Sequence, residues 1–297
     1  MLPVGGNKPP SFLIGKVSNE HISGPSGHLR EDSNMAVAAA PAKENLRQGP
    51  HRVEVEPTPR RVRVVFNGQT IADSKHAVLL RESNLLPVYY FPPEDVREEF
   101  LEPTDQHTRC PYKGEASYWT IRVGDRVSEN AMWGYLDPLP GREDIRGYRA
   151  FYWNRMDGWY EEDEEVFKHP RDPYHRVDVL QSSRQVRVEI GGQTVAESRQ
   201  PRLLFETGLP TRYYLPVEDV RMDLLEPTET SSVCPYKGTA SYWRLKGDTS
   251  GRDVAWSYQD PIAECPKIKG LIAFFNERVD GLHVDGEPQD KPKTAWA

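Results

Sequence analysis

Short runs of alternating apolar and polar residues, separated by turn residues, predict a chain built mainly of β-strands. In residues 62–66 the apolar positions recur at every second residue, which places one side of a strand in a core. Asn67-Gly68 follows this run and Gly191-Gly192 follows a similar run, and both dipeptides favour the two-residue turn of a β-hairpin. Further strands are predicted at 77–81, 87–91, 116–123, 130–135, 148–154, 202–206, 211–215, 240–245, 253–258 and 271–276.

Helical patterns are short and few. Residues 94–101 and 218–225 each follow a proline, and Pro103 or Pro227 stops each segment, which predicts two short helices. Near the end of each half, an Asp-Gly pair at 157–158 or 280–281 predicts a closing hairpin.

The chain repeats itself at an offset of 124 residues. Residues 101–119 and 225–243 are identical at 13 of 19 positions, so we predict a duplicated domain with a core in each copy. The expected fold is mainly β: two tandem copies of a small antiparallel β barrel or two-sheet sandwich, each with one short helix. The predicted boundaries are 1–56 for a disordered N-terminal extension, 57–160 for the first copy, 161–184 for a proline-rich charged connector, 185–288 for the second copy and 289–297 for a C-terminal tail.

Composition excludes several classes of protein. The mean hydropathy is −0.71, and no apolar run approaches the ~18 residues of a membrane span. A net charge of −7 disfavours a dedicated nucleic-acid binder, which usually carries a basic face. Three cysteines and no C-x-x-C pair disfavour a disulfide framework or a structural zinc site and indicate a reduced, cytoplasmic compartment.

Three motifs carry a resemblance to a known family. They are the duplicated CPYKG-x-ASYW, the duplicated YY-x-P-x-EDVR, and FETGLPTRYY at 205–214. Together they resemble the domain family of unknown function numbered 427, which is indexed under a nucleotidyltransferase-like name, and the two-copy arrangement resembles its actinobacterial and fungal members. The resemblance implies a small all-β domain and little about function. The first copy departs from the family pattern at 79–90, so the second copy is the stronger candidate for activity.

The CPYKG turn, at 110–114 and 234–238, is the first candidate site. A lysine three residues after a cysteine could lower the thiol pKa and give a nucleophile, or the lysine could hold a phosphate or carboxylate. In the alternative interpretation, the cysteine is a small buried apolar residue before a structural turn. The candidate catalytic residues are Cys234, Lys237 and Glu206, with Cys110, Lys113 and Glu82 as their equivalents in the first copy.

Polar and aromatic residues near this turn are the candidate ligand-binding groups. Arginine captures phosphate or carboxylate in a bidentate manner, and aromatic rings can stack a base or a flat metabolite. Packing of the aromatic residues in the core is the alternative interpretation. The residues assigned to ligand binding are Arg212, Tyr213, Tyr236, Tyr242, Trp243 and His175.

The connector adds His169, Asp172 and His175. A histidine near a carboxylate is suited to general-base chemistry, and this set could also bind a metal, although its spacing is not diagnostic. The alternative is a connector held by hydrogen bonds between the copies. No residue is assigned as a metal ligand, and the cofactor stays unassigned.

Two functional hypotheses follow from these motifs. The first is a cytoplasmic protein with a small-molecule pocket at CPYKG for an anionic metabolite or a nucleotide, with or without catalysis, and with neither nucleic acid nor membrane as a partner. The second is a non-catalytic interaction or scaffold module in which CPYKG is a structural turn. The sequence leaves the reaction and the oligomeric state open.

Overall fold

The computed structural model describes residues 50–294, which form two copies of one antiparallel β architecture. The first copy contains the strands β1 (Val53–Pro57), β2 (Val62–Phe66), β3 (Gln69–Ser74), β4 (Val78–Glu82), β5 (Val88–Tyr90), β6 (Leu101–Cys110), β7 (Gly114–Val123), β8 (Arg126–Gly134), β9 (Arg149–Phe151), β10 (Gly158–Glu161) and β11 (Glu164–Glu165). The second contains their equivalents β12 (Val177–Gln181), β13 (Val186–Ile190), β14 (Gln193–Ser198), β15 (Arg202–Glu206), β16 (Arg212–Leu215), β17 (Leu225–Cys234), β18 (Gly238–Leu245), β19 (Ala255–Ser257), β20 (Ile272–Phe274), β21 (Gly281–Val284) and β22 (Glu287–Pro288). The mainly β fold and its duplication are confirmed.

Each copy is a sandwich of a large and a small antiparallel sheet. In the second copy the large sheet has the strand order β12-β15-β16-β20-β19-β18-β17, and the small sheet has the order β14-β13-β21-β22. The first copy has the same order, with its large sheet completed by two backbone hydrogen bonds between Phe91 and Arg149 of 2.7 and 2.8 Å. Because alternate residues of a strand point to opposite faces, the large sheet carries two apolar layers.

The layer between the sheets is the main core of each copy. In the second copy it includes Leu203, Tyr213 and Phe274 of the large sheet and Val186 and Leu282 of the small sheet. The other face of the large sheet carries a separate apolar cluster, which in the second copy consists of Val179, Leu204, Tyr214, Ala240, Trp256, Tyr258, Cys265, Ile268, Ala273 and Phe275. The candidate site lies at one end of this outer face.

The two predicted helices are wrong. Two three-residue 3-10 turns stand in place of each helix, at Pro93–Asp95 and Glu98–Phe100 and at Val217–Asp219 and Met222–Leu224. Between the turns of the first pair, Val96 is extended and bridges to Ala72 of β3. Pairing with the neighbouring strand therefore interrupts the helix. The other described 3-10 turns are Glu143–Ile145, Trp153–Arg155 and Pro266–Ile268.

Three strands correct the predicted boundaries. Strand β1 reaches into the predicted disordered extension 1–56, and strands β11 and β12 lie inside the predicted connector 161–184. Strand β11 pairs with β10 of the small sheet, whereas β1 and β12 are edge strands of the large sheets and pair with β4 and β15 respectively. Residues 1–49 and 295–297, which make up the rest of the predicted extension and the end of the predicted tail, lie outside the described residues.

The alternation pattern missed the long strands β6 and β17. Each is a mostly exposed edge strand with an internal proline, and pairing breaks register just after that proline. Proline is tolerated on edge strands and at bulges because it lacks an N–H group. The polar sequence and the internal proline together explain why the alternation pattern does not predict these strands.

The predicted hairpin turns are confirmed at both Asn67-Gly68 and Gly191-Gly192, where all four residues have positive φ, as a type I′ turn requires. The Asp-Gly pairs do not form the closing hairpins. Instead the carboxylates of Asp157 and Asp280 each accept a backbone N–H of the type I′ turn, from Asn67 and Gly191 respectively, both at 2.6 Å.

Candidate functional site

The CPYKG segments form tight turns between β6 and β7 and between β17 and β18. Gly114 and Gly238 have φ values of 110° and 103°, a region that favours glycine. A Cβ atom on Gly238 would also lie 3.2 Å from the backbone nitrogen of Ile262. That nitrogen donates to the carbonyl of Lys237 at 3.1 Å, so the turn packs directly against the following loop.

Each turn lysine pairs with a buried glutamate. Lys237 Nζ donates to Glu206 Oε2 at 2.5 Å, and the two side chains are 10% and 5% exposed. Lys113 makes the same hydrogen bond to Glu82 in the first copy, with side chains 9% and 5% exposed. Each glutamate is the last residue of its strand, β4 or β15. Both copies therefore hold an ion pair that is almost fully removed from water.

A histidine occupies the second oxygen of each glutamate. The Nε2 atom of His175 lies 2.9 Å from Glu206 Oε1, and Nε2 of His51 lies 2.9 Å from Glu82 Oε1. Each histidine ring stacks on the tyrosine of its turn, with ring centroids 3.6 Å apart for His51 and Tyr112 and 4.2 Å apart for His175 and Tyr236. We call His51, Glu82, Tyr112 and Lys113 the first cluster, and His175, Glu206, Tyr236 and Lys237 the second cluster.

The second cluster holds a carboxylate in its ionised form. Burial favours the neutral acid, but hydrogen bonds from His175 and Lys237 and the positive charge of Lys237 outweigh it, so the pKa of Glu206 lies below its usual value. Burial raises the pKa of Tyr236 to about 12. Burial also raises the pKa of Tyr214, and the charge of Glu206 adds to this effect. At neutral pH the tyrosines are therefore neutral beside a charged glutamate.

The structure does not bring the cysteines into this network. Cys234 and Cys110 are partly buried and pack against the outer apolar cluster of their own copy. The ammonium group of Lys237 hydrogen-bonds to Glu206, so the expected pairing of this lysine with the Cys234 thiol is replaced by a carboxylate pair. Cys265 is buried in the same cluster, and burial raises its pKa to about 11.

Two of the predicted ligand-binding residues lie on the wrong face of the large sheet. Tyr213 belongs to the inner core, and Trp243 packs against that core, so neither joins Glu206 and Lys237. Tyr242 lies on the outer face, where its hydroxyl is 2.5 Å from Ser232 Oγ. These placements follow from the period of two in a strand, which sends adjacent residues to opposite faces.

Arg212 also lies on the outer face but has another carboxylate partner. Its guanidinium makes two hydrogen bonds to Glu277, at 2.7 and 2.8 Å, and Glu277 has a fully buried side chain. In the first copy Val88 and Asn154 stand at these positions. The second copy thus contains a buried bidentate ion pair that its duplicate lacks.

The connector covers the tyrosine of the second cluster. The backbone N–H of Asp172 donates to the Tyr236 hydroxyl at 2.8 Å, and the His169 ring lies 5.9 Å from the Tyr236 ring. His169 donates through Nδ1 to the Pro170 carbonyl at 2.7 Å, and burial lowers its pKa. Among residues 50–294, no group of three or more His, Cys, Asp or Glu side chains is arranged to hold a metal ion.

His51 is the site residue that the sequence analysis missed. The signal is present in the chain: HRVEV at 51–55 matches HRVDV at 175–179 at the same offset of 124 residues. Residues 51–55 lie inside the predicted disordered extension, so the match did not mark His51 as a site residue. The structure does so by placing both histidines beside their glutamates.

A family model supplies the comparison with known proteins. The model of NTP_transf_9, a domain of unknown function (DUF427), matches residues 54–162 and 178–285. The chain belongs to this family. The two matches confirm the tandem arrangement, and each copy of the family domain begins three residues after the histidine of its cluster. No curated protein matches the chain. In the described part of the chain, no helix has the length and apolar character needed to cross a membrane.

Proposed function

We propose that the second copy binds a small anionic or nucleotide-like molecule and exchanges a proton with it at His175. The observation that carries this proposal is the chain of hydrogen bonds from Lys237 to Glu206 to His175. A base oriented by a carboxylate is the arrangement found in general acid–base sites.

The roles follow from the charges. Since Glu206 is ionised, it accepts a hydrogen bond from His175, and Nε2 carries the proton. This leaves Nδ1 as the free base, and it has no hydrogen-bond partner within residues 50–294. The side chain of His175 is 20% exposed, which makes it the most exposed member of the Lys237–Glu206–His175 chain. Lys237 keeps Glu206 ionised, and Tyr236 holds the ring by stacking.

Protonated His175 would attract the ligand's anion. A phosphate or carboxylate that approaches Nδ1 would accept a charge-assisted hydrogen bond from the imidazolium. Lys237 and Arg212 are already paired with carboxylates, so the ligand's anion would be bound by the imidazolium that forms when His175 takes up a proton at Nδ1.

The second copy is favoured because its tyrosine is held in place. Tyr236 accepts a hydrogen bond from the connector, whereas Tyr112 of the first cluster is 46% exposed. Tyr236 is held through its hydroxyl and stacks on His175, so it gives the His175 ring one orientation, and a fixed orientation is what proton transfer requires.

A thermal-shift screen against nucleotides, phosphorylated metabolites and dicarboxylates tests the proposal. A compound at ~100 times its Kd adds about 2.7 kcal/mol of stability. We expect this shift in the wild type and in His51→Gln, and its loss in His175→Gln. A shift that survives His175→Gln and disappears in His51→Gln would show that the second copy is the wrong choice.

The second candidate function is a non-catalytic interaction module. The observation that favours it is the retention of the same turn and ion pair in both copies, since a duplicated structural element would be kept for the fold alone. In that case no compound shifts the melting temperature of the wild type, and the only effect of Lys237→Met is a lower stability.

We further propose a cytoplasmic location, with neither nucleic acid nor membrane as a partner. The three free cysteines support a reducing compartment, and the net charge of −7 opposes binding to phosphate backbones. Localisation of a fluorescent fusion and a DNA or RNA gel-shift at low salt test these two points.

A further inference from the structure

A polar groove lies on the second copy, apart from the second cluster. Its volume is about 330 Å³, within the usual range for small-ligand sites of roughly 300–1,000 Å³. It is lined by Gln181, Gln200, Arg202, Pro216, Val217, Glu218, Lys269, Gly270 and Leu271.

Arg202 distinguishes this groove from the equivalent place in the first copy. Its guanidinium has no hydrogen bond, ion pair or ring contact with any other residue in 50–294. It is only partly exposed, so part of its hydration has been removed without a protein partner to replace it. At the equivalent place in the first copy stands Val78, which is buried in the outer apolar cluster. The second copy has therefore exchanged a core valine for an unpaired cation.

The neighbours of Arg202 add a second cation and several hydrogen-bonding groups. Lys269 pairs with Asp260 at 3.1 Å, but both side chains are strongly exposed, and such surface pairs contribute little. Lys269 is thus free to turn to an anion in the groove. Gln181 and Gln200 supply amides, and Glu218 supplies an acceptor for a hydroxyl or amine.

The groove is separate from the second cluster, although both lie on the same face. Arg202 and Glu206 are the first and last residues of β15, so their Cα atoms lie roughly 13 Å apart. Leu204 lies between them and is 1% exposed. A buried apolar side chain therefore separates the groove from the cluster.

We propose that this groove is a second binding site, for a small molecule that carries a phosphate or carboxylate group beside a hydroxyl or amine. Arg202 binds the anion in a bidentate manner, Lys269 adds positive charge, and Glu218 receives the hydroxyl or amine. This site does not depend on the proton-transfer function proposed for His175.

Nuclear magnetic resonance titration of the full chain tests the proposal, with inorganic phosphate and then a sugar phosphate as probes. We expect shifts in the Arg202 side chain and in the backbone of Gly270 with both probes. Arg202→Val restores the residue of the first copy, which keeps the fold, and should weaken binding at least about tenfold through loss of a charge-assisted bidentate contact. Glu218→Gln should weaken the binding of the sugar phosphate and leave the affinity for inorganic phosphate unchanged.

Two control variants distinguish binding in the groove from a general attraction of anions to the surface and from binding at His175. Arg199→Val removes a nearby exposed arginine that does not line the groove, and it should leave both affinities unchanged. His175→Gln should also leave them unchanged, so failure of the proton-transfer proposal does not affect this result. Equal loss in Arg199→Val and Arg202→Val would overturn the proposal, because it would reveal only a general charge effect. Absence of any shift at Arg202 with both probes would also overturn it.

Discussion

Lys237 and Glu206 form a hydrogen-bonded ion pair whose atoms are 2.5 Å apart and whose side chains are both at least nine-tenths buried. Removing two charges from water is costly, and an ion pair offsets that cost only in good geometry. The same arrangement in the first copy, between Lys113 and Glu82, shows that the fold brings the turn lysine to the strand end in both halves of the chain.

Loss of the lysine should be far more damaging than loss of a surface lysine. In Lys237→Met, Glu206 remains buried without its cation, and we expect a loss of about 3–5 kcal/mol in the free energy of unfolding. Urea-induced unfolding of the full chain measures this. The control Lys269→Met breaks an exposed pair and should change stability by less than about 1 kcal/mol. An equally small effect in Lys237→Met would show that the buried pair contributes nothing to the fold.

The ionised state of Glu206 should stabilise the protein at neutral pH, and this stabilisation should be lost in acid. Because its pKa in the folded protein lies below the ordinary value of 4.5, its contribution is fully present above pH 4.5 and is lost as the pH falls through the lowered value. Carbon-13 resonances of the Glu206 carboxyl group give that pKa directly in the wild type. A midpoint at or above 4.5 would contradict the expected direction.

Arg212 and Glu277 should depend on each other for stability. Arg212→Val leaves a buried glutamate without its arginine and should cost about 3–5 kcal/mol. The double variant Arg212→Val with Glu277→Asn reproduces the pair of residues in the first copy, and it should recover most of that loss. Urea-induced unfolding of the two single variants and the double variant gives the coupling energy. Additive losses would show that the pair is not coupled.

Cys265 should be the least reactive thiol in the chain. It is 4% exposed, and burial raises its pKa to about 11, so very little thiolate forms at neutral pH. Alkylation followed by mass spectrometry should label Cys110 and Cys234, which are partly exposed, before Cys265. Modification of Cys265 should follow the rate of unfolding, and fast labelling under native conditions would contradict this expectation.

Sequence patterns identify the residues of the candidate site more readily than their contacts. The repeated CPYKG turn and the strand-end glutamates point to Lys237 and Glu206. The same patterns pair the lysine with a cysteine because those residues are neighbours in the chain. In the folded protein the lysine reaches a carboxylate 31 residues away, and a long-range contact of this kind leaves no local signal.

Tyr213 and Trp243 show a second feature that the sequence patterns do not predict, which is the face of the sheet to which a residue points. Each is adjacent in sequence to a residue of the outer face, and each points to the inner core. Alternation in a strand determines that neighbours diverge, but only the packing of the two sheets decides which face is inner and which is outer. His51 was missed for a different reason. The repeated segment that contains it is visible in the sequence, but it lies outside the predicted boundary of the first domain.

By itself, the sequence determined the β class, the duplication and the type I′ turns, because periodicity, repeated motifs and turn residues act over a few positions. The tertiary structure alone decided that β1 and β12 complete the large sheets and that His51 and His175 join the buried ion pairs. It also decided that Arg202 lines a groove without a partner among residues 50–294. These features depend on which strand edges meet and which charges are removed from water together. Both are properties of the packed chain and not of any segment of it.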